Sequence, residues 1–182
     1  SAAINNLGAT NFTPAFNQFG VVATNETGAN ELYFLDLQNE RILVFNGPIP
    51  AVGATMTSVR EFNYISYFAT APTQNWARVI FDGTTLWIFR ENQYVGVDPA
   101  TGLQTVAERT STMLNTSTIG TYNVAFNPNT GYAYFGGDSA NTVDEFDLTN
   151  NTIIQTFGTG ARELENTWYD STRNKYWAWN GQ

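Results

Sequence analysis

The 182-residue chain has no cysteine and no histidine, and a single lysine, Lys175, beside seven arginines. The absence of cysteine removes disulfides, thiolate nucleophiles and sulfur-ligated zinc, and the absence of histidine removes the commonest general base and metal ligand. Charge is scarce as well: Asp, Glu, Lys and Arg make up 13% of the residues, about half the usual share. What charge there is sums to −8 and is scattered along the chain, so a nucleic acid partner is repelled. No apolar run approaches the roughly 20 residues of a membrane-crossing helix, and no basic stretch leading into an apolar core marks a secretory leader.

What is present points to strands. The chain is 42% hydrophobic and 15% aromatic, and 21 Asn and 25 Thr supply a quarter of it. Both residue types favour turns or strands over helix interiors. The length suits one domain, large enough to bury a core of its own.

An aromatic run recurs four times, as Leu32-Tyr33-Phe34-Leu35, Leu86-Trp87-Ile88-Phe89, Tyr132-Ala133-Tyr134-Phe135 and Tyr176-Trp177-Ala178-Trp179. Counted from residues 32, 86, 132 and 176, the spacings are 54, 46 and 44. One four-stranded propeller blade takes roughly 40 to 50 residues. Each run follows an apolar strand and a turn rich in Asn, Asp and Gly, as in a hairpin. The first three lead into further strands at Arg41–Phe45, Gln93–Val97 and Thr142–Phe146, and fourth strands are expected at Leu103–Val106, Ile153–Phe157 and near Thr57-Ser58-Val59. The fold expected is all-β, a four-repeat β-propeller forming a single domain. Its repeats cover 19–59, 78–108, 122–158 and a half repeat at 165–182, with an elongated connection at 60–77.

The half repeat ends after its second strand, and an uncovered aromatic edge invites unwanted pairing. Propellers often let the opposite terminus complete the last blade, so residues 1–18, with strands near Ala2–Ile4 and Asn11–Thr13, are expected to close it. The rival is a neighbouring chain covering the edge, which makes the protein an assembly subunit.

Residues 30–45, Asn-Glu-Leu-Tyr-Phe-Leu-Asp-Leu-Gln-Asn-Glu-Arg-Ile-Leu-Val-Phe, resemble an NHL blade, and Asn123 to Phe157, with its Asn-Pro-Asn-Thr-Gly turn, resembles a YVTN-type blade. The resemblance covers about two thirds of the chain and implies a β-propeller, although such propellers usually have six or seven blades and this chain has material for about four. The terminal Trp168–Thr172 and Trp177–Gly181 stretches resemble aromatic hairpins of phage tail proteins. Propellers serve enzymes, lectins and scaffolds alike.

Asp98 and Asp147 open corresponding turns, where an Asp side chain caps backbone N–H groups; calcium ligation is the alternative. Asp138, Asp144 and Glu145 offer further oxygens to calcium, without the spacing of a known calcium loop. Asp144 and Glu145, adjacent in a strand, point to opposite faces and form no catalytic pair. A serine nucleophile would have only Lys175 or a carboxylate as its base. Catalytic, cofactor and metal sites are therefore not expected. Trp76, Trp168, Trp177 and Trp179 are the candidate ligand or edge contacts, since exposed indoles stack on sugar rings. Trp177 and Trp179 should share one strand face. Sequons at Asn11, Asn25, Asn115 and Asn150 are candidate glycosylation sites, although their number matches chance for this composition.

Together these features lead to a non-enzymatic structural or adhesive subunit, working through protein neighbours and self-association. The start at Ser1-Ala2-Ala3 fits a processed secreted chain, at an extracellular or virion surface. A lectin-like propeller binding glycans is the alternative, and a propeller lyase or hydrolase using carboxylates and calcium is the third.

Overall fold

Alternation builds the first sheet. In Glu31–Asp36 every second side chain is buried, the period-two pattern of a strand packed on one face. By contrast, Leu86–Arg90 is buried throughout, as befits a strand with neighbours on both faces. The computed structural model describes residues 3–5, 19–25, 30–37, 39–47, 55–70, 77–90, 92–111, 123–136, 142–158 and 164–180.

In chain order the strands are β1 (Ala3–Asn5), β2 (Phe19–Asn25), β3 (Glu31–Asp36), β4 (Arg41–Asn46), β5 (Thr55–Thr57) and β6 (Arg60–Asn63). A 3-10 turn, Ile65–Tyr67, precedes β7 (Ala77–Phe81), β8 (Leu86–Arg90), β9 (Gln93–Asp98) and β10 (Leu103–Thr110). The remainder are β11 (Asn123–Asn127), β12 (Tyr132–Gly136), β13 (Thr142–Asp147), β14 (Thr152–Gly158), β15 (Leu164–Asp170) and β16 (Lys175–Asn180).

These strands form three antiparallel four-stranded blades, β2-β3-β4-β6, β7-β8-β9-β10 and β11-β12-β13-β14, followed by the β15-β16 hairpin. The first strand of each blade lies against the first strand of the next, in the succession β2, β7, β11, β15. The result is an arc of sheets stacked face to face, and the all-β propeller expectation holds.

Two details of the first repeat differ from expectation. Its outer strand is Arg60–Asn63 rather than Thr57-Ser58-Val59, with Val44 opposite Arg60 and Arg41 opposite Asn63. Ionic contacts, which an apolar pattern does not display, help to place it: Arg41 bonds Glu61 at 3.0 Å and Arg60 bonds Glu31 at 2.6 Å. Ala3–Asn5 pairs with Thr55–Thr57 and not with the hairpin, because the connection between β4 and β6 offers it a local open edge. Residues 6–18, including Asn11–Thr13, lie outside the described residues.

Each blade packs its forward face on the backward face of the next. Tyr33, Leu35, Ile42 and Val44 of blade one meet Ala77, Val79, Leu86, Ile88, Val95 and Val97 of blade two in one core. Ile80, Trp87, Phe89 and Tyr94 of blade two meet Val124, Ala133, Phe135, Phe146 and Leu148 of blade three in another. The second core is mainly aromatic, with Phe89 edge-on to Phe135 at 5.1 Å. Edge-to-face contact suits the charge distribution of the two rings.

Arginine side chains tie the outer rims together. Arg60 of β6 donates from Nη2 to the Pro99 carbonyl at 3.2 Å, in the turn between β9 and β10. Arg109 of β10 donates to the Leu148 carbonyl at 2.8 Å and to Thr149, in the turn between β13 and β14. Pro99 and Leu148 each directly follow the Asp that opens their turn, so one latch is used twice.

Candidate binding site

One turn chemistry recurs and sets the hairpins. Asp36, Asp98, Asn127, Asp147 and Asp170 each accept a backbone N–H two or three residues ahead through a side-chain oxygen. Four residues after each of them comes a left-handed residue: Glu40, Gly102, Gly131, Asn151 and Asn174. The Asx side chain imitates a backbone turn, and the left-handed residue redirects the chain into the next strand. At Gly102 the backbone φ of +71° suits a residue without a Cβ.

This turn accounts for Asp98 and Asp147. Hydrogen bonds from the Thr101 side chain and the Ala100 N–H hold the Asp98 carboxyl below the ordinary carboxylate value. For Asp147 burial pulls upward, but bonds from Asn150 and the Thr149 N–H outweigh it and the carboxyl is also lowered. Both Asp147 oxygens already accept, Oδ1 from the N–H groups of Thr149 and Asn150 and Oδ2 from the Asn150 amide. Among the described residues no three acidic side chains gather where they could hold a metal ion. Asp138 lies outside the described residues. Asp144 and Glu145 face opposite sides of β13 as expected: Asp144 accepts from the Thr156 hydroxyl, while Glu145 is buried and accepts from the Tyr134 hydroxyl at 2.7 Å.

The hairpin β15-β16 has two unlike faces. Tyr169 and Tyr176, opposite each other in the register, pack back on Tyr134 of blade three, with centroids 6.1 and 5.2 Å away. Trp168 and Trp177 form the adjacent cross-strand pair and therefore point the other way. Their indoles stack at 5.7 Å and 11°. Trp168 is 55% exposed and Trp177 44%.

Between blade three and the hairpin lies a cleft of about 350 Å³ lined by Asn127, Thr130, Tyr134, Val143, Phe157, Tyr169, Asn174 and Tyr176. Tyr134 and Tyr169 lie parallel within 7°. Tyr134 is held by Glu145, with the Asn127 amide donating to its hydroxyl at 3.4 Å, and Tyr169 donates to the Asn174 side chain. Burial pushes the Tyr134 phenol above its ordinary pKa, and its bond to Glu145 adds to that. The phenol therefore keeps its proton for the bond to Glu145.

The structure thus brings Trp168 and Trp177 together. Trp179 lies in β16 opposite Asn166, with its side chain outside the described set, and Trp76 lies outside it entirely. Lys175 is exposed opposite Asp170. Of the sequon residues, Asn150 sits in an exposed turn with its amide bonded to Asp147; Asn25 ends β2; Asn11 and Asn115 lie outside the described residues. The sequence assigns Tyr134, Tyr169 and Tyr176 no role beyond their places in the aromatic strands, so the cleft is a finding of the structure. The matching Asn-Pro-Asn-Thr-Gly and Asp-Ser-Thr-Arg-Asn turns were the available signal, because they carry Asn127 and Asn174 to its walls.

No family model and no curated protein matches the sequence. Solved structures do match the fold. The chain is similar to the WD40 β-propeller domain of Doa1, with 14% identity and a TM-score of 0.56 over 88% of this chain and 47% of that one. It is also similar to the glutaminyl cyclase of Myxococcus xanthus, with 11% identity and a TM-score of 0.62 over 90% of this chain and 68% of that one. The fold is a β-propeller. The chain spans about half the length of the Doa1 domain, so its blades form an open arc of the propeller circle.

Proposed function

We propose that this propeller chain is a non-enzymatic structural or adhesive unit of an extracellular or virion-surface assembly, acting through protein contacts and self-association. One observation carries the reading: the exposed, stacked Trp168–Trp177 pair on the forward face of the hairpin. On blades one and two the forward face is buried by the next blade, so the surface that complements this pair is the apolar backward face of another blade. An exposed aromatic sheet face marks an interaction site. The likeness to the Doa1 propeller supports blades that stack in this way. We group blades one and three with NHL- and YVTN-type repeats on residues 30–45 and 123–157 alone. The test is light scattering on the eluting protein: association that is lost in Trp168→Thr/Trp177→Thr supports the reading, and a monomer at every concentration contradicts it.

A second reading, a glycan-binding propeller, is favoured by a different place, the tyrosine-lined cleft. Its ligand would stack on aromatic rings and bond neutral amides rather than bridge molecules through the tryptophan face.

A further inference from the structure

We infer that the cleft between blade three and the terminal hairpin is a binding site for the ring of a neutral pyranose sugar; this rests on the second reading above and assigns it residues. The size fits, since 350 Å³ lies at the lower end of the range for ligand pockets. The walls fit as well. Tyr134, Phe157, Tyr169 and Tyr176 supply ring surface, with Phe157 and Tyr176 each tilted 38° from Tyr134. Such a concave aromatic surface covers the C–H face of a pyranose while leaving its hydroxyls at the rim.

The polar groups at that rim are neutral. Thr130 and Asn174 line it, with Asn127 buried beneath, and among the described residues no charged side chain lines the cleft, so hydroxyls are matched. Asn174 accepts from Tyr169 through Oδ1, and its amide nitrogen has no partner among the described residues. Thr130 offers a hydroxyl. The platform is also fixed before any ligand arrives, because Tyr134 is anchored to Glu145 and Tyr169 to Asn174. Pre-organised rings lower the ordering cost of binding.

The test uses the whole chain and four methyl glycosides, those of glucose, galactose, mannose and N-acetylglucosamine, titrated to millimolar concentration while tyrosine-ring NMR signals and heat are recorded. At least one is expected to shift the signals of Tyr134 and Tyr169. Tyr169→Ala should weaken that binding about tenfold. Asn174→Gly, which keeps the left-handed turn residue at φ 52° but removes both the amide donor and the oxygen that anchors Tyr169, should weaken it at least about fivefold. Trp168→Thr should leave it unchanged, which separates this site from the assembly face. Silence with all four glycosides, or binding that survives both cleft substitutions in folded protein, overturns the inference. So does a preference for a proline-rich peptide over every sugar. None of these results depends on whether the chain self-associates.

Discussion

Trp87 and Trp177 are the second residues of their aromatic runs and both occupy forward faces, yet Trp87 is 5% exposed and Trp177 is 44% exposed. Blade three covers the first, and among the described residues no blade covers the second. The indole of Trp87 also donates to Asp82 at 2.7 Å, and Gly96 lies opposite it in the register. Among the described residues Trp177 stacks on its cross-strand partner Trp168. Position in the repeat sets which face a tryptophan takes, and the neighbouring blade sets whether it is core or surface.

Replacing each tryptophan should expose that difference most strongly. Trp87→Ala removes a buried side chain and should cost about 3–5 kcal/mol in urea unfolding, whereas Trp177→Thr should change the monomer by about 0.5 kcal/mol. Equal losses would mean that the hairpin face is packed. Next in size is the rim latch: Arg109→Ala should cost about 0.5–1.5 kcal/mol, since the Thr149 carbonyl loses this donor while the Leu148 carbonyl keeps the Tyr94 hydroxyl at 3.1 Å. A neutral result would show that the aromatic core and the Tyr94 and Asn151 bonds join blades two and three without it.

Acid should act through the repeated turns. The carboxyls of Asp36, Asp98, Asp147 and Asp170 all lie below the ordinary value near 3.8. A lowered folded pKa gives stability that is complete above the unfolded value and lost as pH falls through the folded one. Thermal midpoints should therefore hold steady down to about pH 5 and decline below pH 4; a flat profile to pH 2.5 would contradict the capping role. The smallest effect separates the turn of blade one from that of blade two. Glu40, in the β3-β4 turn, sits at φ 56° where the same turn motif between β9 and β10 has Gly102, so Glu40→Gly should stabilise by about 0.5 kcal/mol.

Blades two and three were legible in the sequence because their strands alternate around Asn, Asp and Gly turns at a near-constant period. The pairing of Trp168 with Trp177 was not legible there: strand geometry placed Trp177 with Trp179, and only the register of the hairpin sets Trp168 opposite Trp177. The outer strand of blade one was not legible: Arg60-Glu61-Phe62-Asn63 reads as polar, and its place depends on backbone pairing with β4 and on ionic contacts to Arg41 and Glu31. The cleft was hidden for another reason. Tyr134 and Tyr169 are 35 positions apart, and only the stacking of the hairpin on blade three makes them two walls of one space.

The mass of the chain in solution tests the central claim most directly. The account predicts concentration-dependent association of the 20.2 kDa chain, abolished by Trp168→Thr/Trp177→Thr. A wild-type chain that stays at 20.2 kDa up to about 100 μM, where an association worth roughly −5.5 kcal/mol would be half formed, would contradict it.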